Sequence, residues 1–287
     1  VIDPCLRIAE TTAYNLLSEI LSEFEESGPF SIRSLKICAP NVGTMPLAAV
    51  LRDFRPAGVV SLGSFANVTD DPPWLRTFAR DLQDGVFARH VPLLGICFTH
   101  QFVAAHFGET VDFVEGRDRL RERKWAKVRT VNVTHPKLCL LLARLGCSDY
   151  LRGTRADNDF CYLIRATRDW TSAHWTQVFA ERRERLSATE DRVRKLLTEM
   201  CDTSFESWAR HEQEVKSPLR GSMFDIAATS EECTVEGLVA RESPIFTFQT
   251  HPESMVNCPR AFVGRRLLKN FIYMCHLLAQ EDSVHGA

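Results

Sequence analysis

The chain has 287 residues, 45% of them hydrophobic and 25% charged, enough to enclose a sizeable core as one domain with an elaboration or as two domains. A formal charge of -2 supplies no global field to hold nucleic acid or an anionic membrane, and no apolar run approaches the length of a membrane span. The ten cysteines are scattered without a Cys-x-x-Cys pair, which suits reduced thiols in a cytoplasm or organelle matrix rather than a disulfide framework or a zinc site. The chain starts at Val1 without a methionine, which leaves room for an N-terminal targeting segment ahead of it.

In chain order, Ala13 to Phe24 carries Leu16, Leu17, Ile20, Leu21 and Phe24 at helical spacing, and Ser34 to Ala39 reads as a strand. Pro46 to Phe54 predicts a short helix, Val59 to Leu62 a strand and Trp74 to His90 a helix. Val91 to Ile96 is a short, nearly continuous apolar run, as in a strand covered on both faces, and Phe98 to Phe107 is a helix that Gly108 can terminate. The basic run Arg117 to Lys124 is tempered by acids and has no interleaved aromatics, so it reads as a solvated loop and not as a base-stacking surface.

Trp125 to Val133 is a further strand and Pro136 to Leu145 a further helix. Two helical patterns follow. Trp175, Val178 and Phe179 mark the first; Val193, Leu196, Leu197 and Met200 mark the second, which opens on the capping box Ser187-Ala188-Thr189-Glu190. Ile245 to Gln249 closes the series as a strand. This alternation predicts a doubly wound, mostly parallel α/β sheet, whose functional residues collect at the carboxyl ends of the strands. The expected organisation is a single domain over 1–287, with a helical hairpin inserted at 165–208 near the rim of the site, as a structural cap or as a lid or partner surface.

Cys97 lies between the Val91 to Ile96 strand and the following helix. A helix N-terminus offers unsatisfied amides and a positive dipole end, which favour the reactive thiolate. By itself a buried cysteine is as readily an inert small hydrophobe. His251 stands just past the last strand, and Pro252 biases it toward an extended conformation, in which Glu253, two residues on, points to the same side. A carboxylate beside an imidazole fixes its tautomer and stabilises the imidazolium, the logic of an acyl-transfer triad.

Gly95, Cys97 and Gln101, taken with the late His251-Pro252-Glu253, resemble the signature of the class I (triad) glutamine amidotransferases. The likeness is nearest to stand-alone proteins related to the glutaminase part of GMP synthase, a group that includes gamma-glutamyl peptidases. Two weaker segments sit in the matching order: Gly58 to Asp71 resembles the strand and oxyanion loop, and His211 to Val215 resembles a substrate-contacting loop. The resemblance implies a flavodoxin-like sheet in which Cys97 attacks the side-chain amide carbon of glutamine while His251, oriented by Glu253, moves the proton. It also implies an oxyanion hole from the backbone amides of Ser64 and Phe98, with Gly63, Gln101 and His211 in the substrate pocket. No phosphate-binding loop is present, and no cofactor or metal is implied.

Thr99, Ser64 and Phe65 stand where the family pattern has glycine or proline, placing bulk at a tight turn and stiffness in the oxyanion loop. Three functions follow. One is a glutaminase that hands ammonia to a synthetase partner; another is a gamma-glutamyl peptidase acting alone. The third is a catalytically impaired component kept as a scaffold in a larger assembly.

Overall fold

A computed structural model describes residues 1–5, 17–18, 21–22, 35–38, 47–114, 127–143, 159–168, 170–200, 202–255 and 262–285. The Arg117 to Lys124 run therefore lies outside the described residues. Strands β1 (Ile2–Cys5), β2 (Leu35–Cys38), β3 (Val59–Ser61) and β4 (Leu93–Ile96) alternate with helices α1 (Leu47–Phe54) and α2 (Pro73–Leu82). Helix α2 continues as a π turn, Gln83–Phe87, so the predicted helix to His90 breaks up near its end. Helix α3 (Phe98–His106) follows β4 directly, with only Cys97 between them.

Strand β5 (Val111–Phe113) and β6 (Lys127–Val133) lead to α4 (Pro136–Leu142). Next come α5 (Asp159–Thr167), α6 (Ser172–Ala180) and α7 (Ala188–Met200). The rest comprises β7 (Ser204–Ala209), β8 (Gln213–Val215), β9 (Phe224–Thr229), β10 (Gly237–Ala240), β11 (Ile245–Phe248) and α8 (Phe262–His285).

Among the described residues one sheet has nine strands in the order β2-β1-β3-β4-β11-β10-β9-β6-β7, and β5 pairs with β8 in a small second sheet. From β2 through β11 every pairing is parallel; from β11 through β7 every pairing is antiparallel. The architecture is the expected α/β sheet with helices on both faces. On one face Leu51, Phe78, Leu82 and Phe102 form a buried cluster beneath α1, α2 and α3. On the other, Leu141, Leu163, Trp175, Leu197 and Phe271 join α4 to α8. Side chains of this size, buried at ~1.5–3 kcal/mol each, hold both layers to the sheet.

The segment expected to be helical through 208 changes character at Ser204. Phe205, Ser207 and Ala209 are buried in alternation with more exposed neighbours, the period-two signature of a sheet strand, and they make β7. The helices before it pack against α4 and α8, not at the rim around Cys97, because their apolar stripes complete the core of that face. The capping box forms as read: Glu190 N donates to Ser187 Oγ at 3.2 Å, and Ser187 N donates to Glu190 Oε2 at 2.8 Å.

Candidate active site

Strand β4 lies between β3 and β11, parallel to both, so three carboxyl ends converge. Cys97 leaves β4 with φ 52° and ψ -103°, in the left-handed half of backbone space that a non-glycine residue occupies only when its surroundings hold it. The hold is visible: Cys97 N donates to Phe248 O of β11 at 2.7 Å, and Gln101 N donates back to Cys97 O at 3.1 Å. The elbow thus presents the thiol at the start of α3 instead of burying it in the sheet.

Gly63, just past β3, faces this thiol closely. A Cβ built there would stand 3.0 Å from His251 Cε1, 3.2 Å from Cys97 Cβ and 3.8 Å from Cys97 Sγ, so only glycine fits without displacing the pair. Ser64 Oγ accepts a hydrogen bond from Ala66 N at 3.1 Å, which folds the loop back on itself. Phe65 projects from the loop with half its surface exposed.

His251 bridges to the antiparallel half of the sheet, its N–H donating to Trp208 O of β7 at 2.7 Å. Its Nδ1 meets Glu253 Oε1 at 2.7 Å. The approach differs from the extended one expected. Pro252–Met255 is a 3-10 turn, and the carboxylate curls back under the ring instead of lying two places along a strand. Glu253 is fully buried. Burial alone would lower the His251 pKa, but the facing Cys97 and the Glu253 carboxylate outweigh it and hold the imidazole well above its usual value.

Gln101 is buried, not on an open helix surface. Its Nε2 donates to Gln213 O at 2.6 Å and to Gln249 Oε1 at 3.2 Å. His211 is buried too. Its Nδ1 donates to Gln213 O at 2.8 Å, and Nε2 accepts from Arg129 Nη1 at 2.8 Å. Burial first, then the Arg129 charge, depress its pKa to about 3, so it is a neutral ring at ordinary pH. Ser64, Phe65, Cys97, Gln101, Arg210 and His211 line one narrow cleft of about 40 Å³. Phe98, first residue of α3, is buried beside it.

Thr99 does not crowd the elbow as its bulk suggests. It is fully buried, its hydroxyl donates to Leu62 O at 2.8 Å and meets Ser61 Oγ at 2.8 Å, and its methyl lies over the bare face of Gly95, where a Cβ would come within 2.9 Å. The side chain ties the start of α3 to the end of β3.

Sequence reasoning missed Arg129, Glu236, Gln213 and Gln249. Arg129, in β6, is buried with Glu236 at 3.2 Å and Glu232 at 3.4 Å, and Ser230 Oγ donates to Glu236 at 2.7 Å. Nothing in the alternation of Lys127 to Val133 marks a buried guanidinium. Gln249 did carry a signal, an amide inside an apolar strand run; its Nε2 lies 3.8 Å from Cys97 Sγ.

Fold and site together define an α/β protein with a cysteine, histidine and carboxylate cluster at the carboxyl edge of its sheet. The family model "Glutamine amidotransferase class-I" matches residues 38–273, and the chain belongs to that family. It is 38% identical over 71 residues to the glutamine-hydrolyzing GMP synthase subunit of Methanocaldococcus jannaschii, covering 25% of this chain and 35% of that protein. With the corresponding GMP synthase subunit of Methanococcus aeolicus it shares 39% identity over 77 residues, 26% of this chain and 37% of that one. The chain thus covers little more than a third of the length of these relatives. A glutamine amidotransferase structure from Thermotoga maritima superposes with a TM-score of 0.54 at 14% identity, over 96% of this chain and 98% of the other, a likeness of fold. No described helix is long and apolar enough to cross a membrane.

Proposed function

We propose that the chain hydrolyses the side-chain amide of glutamine, with Cys97 as nucleophile, His251 as the acid and base and Glu253 as the group that orients it. The observation that carries this reading is the convergence of Cys97 and the His251–Glu253 pair on the bare backbone of Gly63. Cys97 Sγ adds to the amide carbon, forming a C–S bond, and the thiol proton goes to His251. Collapse of the tetrahedral adduct breaks the C–N bond, and His251 delivers the proton to the departing ammonia.

A gamma-glutamyl thioester remains. Water, losing its proton to His251, then splits it to glutamate and restores the thiol. The amides of Ser64 and Phe98 are the donors assigned to the oxyanion in both steps, at a cost of about 10²–10³ in rate if one is lost. Gln101 and His211 line the same cleft and are assigned to the substrate. The snug seat of Thr99 over Gly95 supports turnover over a closed, scaffold-only site.

The naming of the relatives as subunits supports transfer of ammonia to a synthetase partner rather than hydrolysis for its own sake. The test is glutamate release by the purified chain and by Cys97→Ser, with mass detection of a covalent adduct from an electrophilic glutamine analogue. Cys97-dependent release or labelling is expected. Release from gamma-glutamyl dipeptides but not glutamine would replace the reading with a peptidase; no labelling at all would replace it with a scaffold.

A further inference from the structure

At the opposite, amino-terminal edge of the sheet lies a far larger cavity of about 1170 Å³. Pro92 before β4 and Pro244 before β11 line it, so a four-residue strand, about 16 Å with its flanking residues, separates it from Cys97. Its walls carry five cations, Arg55, Arg89, Lys137, Arg168 and Arg241, against the single carboxylate of Glu242. Asp225, outside the lining, pairs with Arg241 at 2.9 Å.

The floor is apolar and aromatic, with Trp170, Trp175 and Phe246 among its residues. Two polar atoms of its lining residues, Ser243 Oγ and Trp175 Nε1, are buried without a hydrogen-bond partner among the described residues, donors that a ligand would satisfy only with a local shift of these side chains. Lys137 Nζ donates to Ala240 O at 2.7 Å and Ser243 O at 3.2 Å, which leaves a third N–H of the ammonium. Arg55 and His90, both on the rim, hold left-handed backbone at φ 47° and φ 51°, the local strain that turns the chain sharply into β3 and β4.

We propose that this cavity is a second binding site, for a small organic anion: a phosphate or carboxylate carried on an aromatic or apolar body. Guanidinium groups take either oxyanion in paired hydrogen bonds, and the tryptophan-lined floor takes the body. The cavity is somewhat roomier than the roughly 300–1,000 Å³ of most small-molecule pockets, and the mix of polar groups on an apolar wall is their usual makeup. Ile164 of α5, Trp175 of α6 and Trp170 in the connection between them line this wall and none of them lines the cleft around Cys97, which gives the helical segment a role away from the nucleophile. Burial has lowered the Lys137 pKa to about 8 against the raising effect of Asp225, and an anion beside it would raise it again.

The test uses the full chain titrated with 1-naphthyl phosphate, 1-naphthoate and uncharged 1-naphthol, read by tryptophan fluorescence and calorimetry. One-to-one saturable binding of at least one anion is expected, tenfold or more tighter than 1-naphthol. Preference between the two anions says which oxyanion the site takes. Arg55→Ala/Arg89→Ala, a change of exposed side chains, should weaken binding at least tenfold, and Ser243→Ala severalfold. In both variants the alkylation rate of Cys97 should match the parent chain, which reports an intact fold and does not depend on glutamine turnover. Equal binding of 1-naphthol, unchanged affinity in the double variant, or protection of Cys97 from iodoacetamide by the anion would each overturn the proposal.

Discussion

Two histidines meet at the carboxyl edge of the sheet and carry opposite electrostatics. His251 is held well above its usual pKa, while His211 is pushed down to about 3. His211 is buried and His251 partly so, and desolvation lowers both, so burial alone does not separate them. What separates them is the partner: His251 faces a thiol and a buried carboxylate, whereas His211 accepts from a buried guanidinium. A histidine next to negative charge can hold and pass a proton; one next to Arg129 is locked as a neutral ring. The lesson is that a residue type marks a site, and its neighbours assign the task.

The sharpest break of this contrast is His251→Ala beside His211→Ala. Loss of His251 should slow iodoacetamide alkylation of Cys97 and glutamate release by about 10²–10⁴. His211→Ala should leave alkylation within about tenfold and act mainly on KM, because its ring touches the cleft but not the thiol. Glu253→Gln removes one of the charges that raise His251. The upper limb of the pH profile for Cys97 alkylation should then move to lower pH, with a smaller loss of rate than His251→Ala; an unmoved limb would remove Glu253 from the account.

Arg129→Met attacks the other histidine. It strands Glu236 as an unpaired buried carboxylate, a loss of about 3–5 kcal/mol in denaturant unfolding, and Arg129→Met/Glu236→Gln should recover part of it. Acid should act in the same direction on the wild-type chain. His211 and His100, both near 3 when folded, take up a proton at about 6.5 once unfolded, so their contribution to stability is present above 6.5 and lost as pH falls toward 3. Each contributes about 1.4 kcal/mol per pH unit to that slope, measurable by urea unfolding at stepped pH. His251 has the reverse sign: its raised pKa favours the folded state below 6.5, a gain lost as pH rises through the folded value. Thr99→Val, which keeps the shape and deletes the hydroxyl that donates to Leu62 O, should cost only about 1 kcal/mol.

The cysteine half of the candidate site was legible as a strand-to-helix elbow because it is local. Val91 to Gln101 contains the strand, the elbow and the helix start, and hydrophobic patterning with one glycine and one cysteine states that arrangement in eleven consecutive residues. His251 and Glu253 were legible as a pair, though a 3-10 turn brings them together and not the extended run that their spacing suggests. Strand β1 was missed because Ile2–Cys5 is four residues long and includes Pro4, which gives no strand signal. Strand β7 was missed because the helical pattern before it masked a short alternation.

By itself the sequence determined the α/β class, the cysteine at a strand-to-helix elbow and the late histidine with its carboxylate. These rest on periodicity and on residues adjacent in the chain, where backbone sterics and side-chain spacing act directly. Only the tertiary structure decided that Thr99 is a tether and not an obstruction, that burial and then Arg129 keep His211 neutral, and that the helices after α4 wall a cationic cavity away from Cys97. Those outcomes depend on pairings across 37, 82 and more residues of chain, which sheet order and helix packing create and no local pattern encodes.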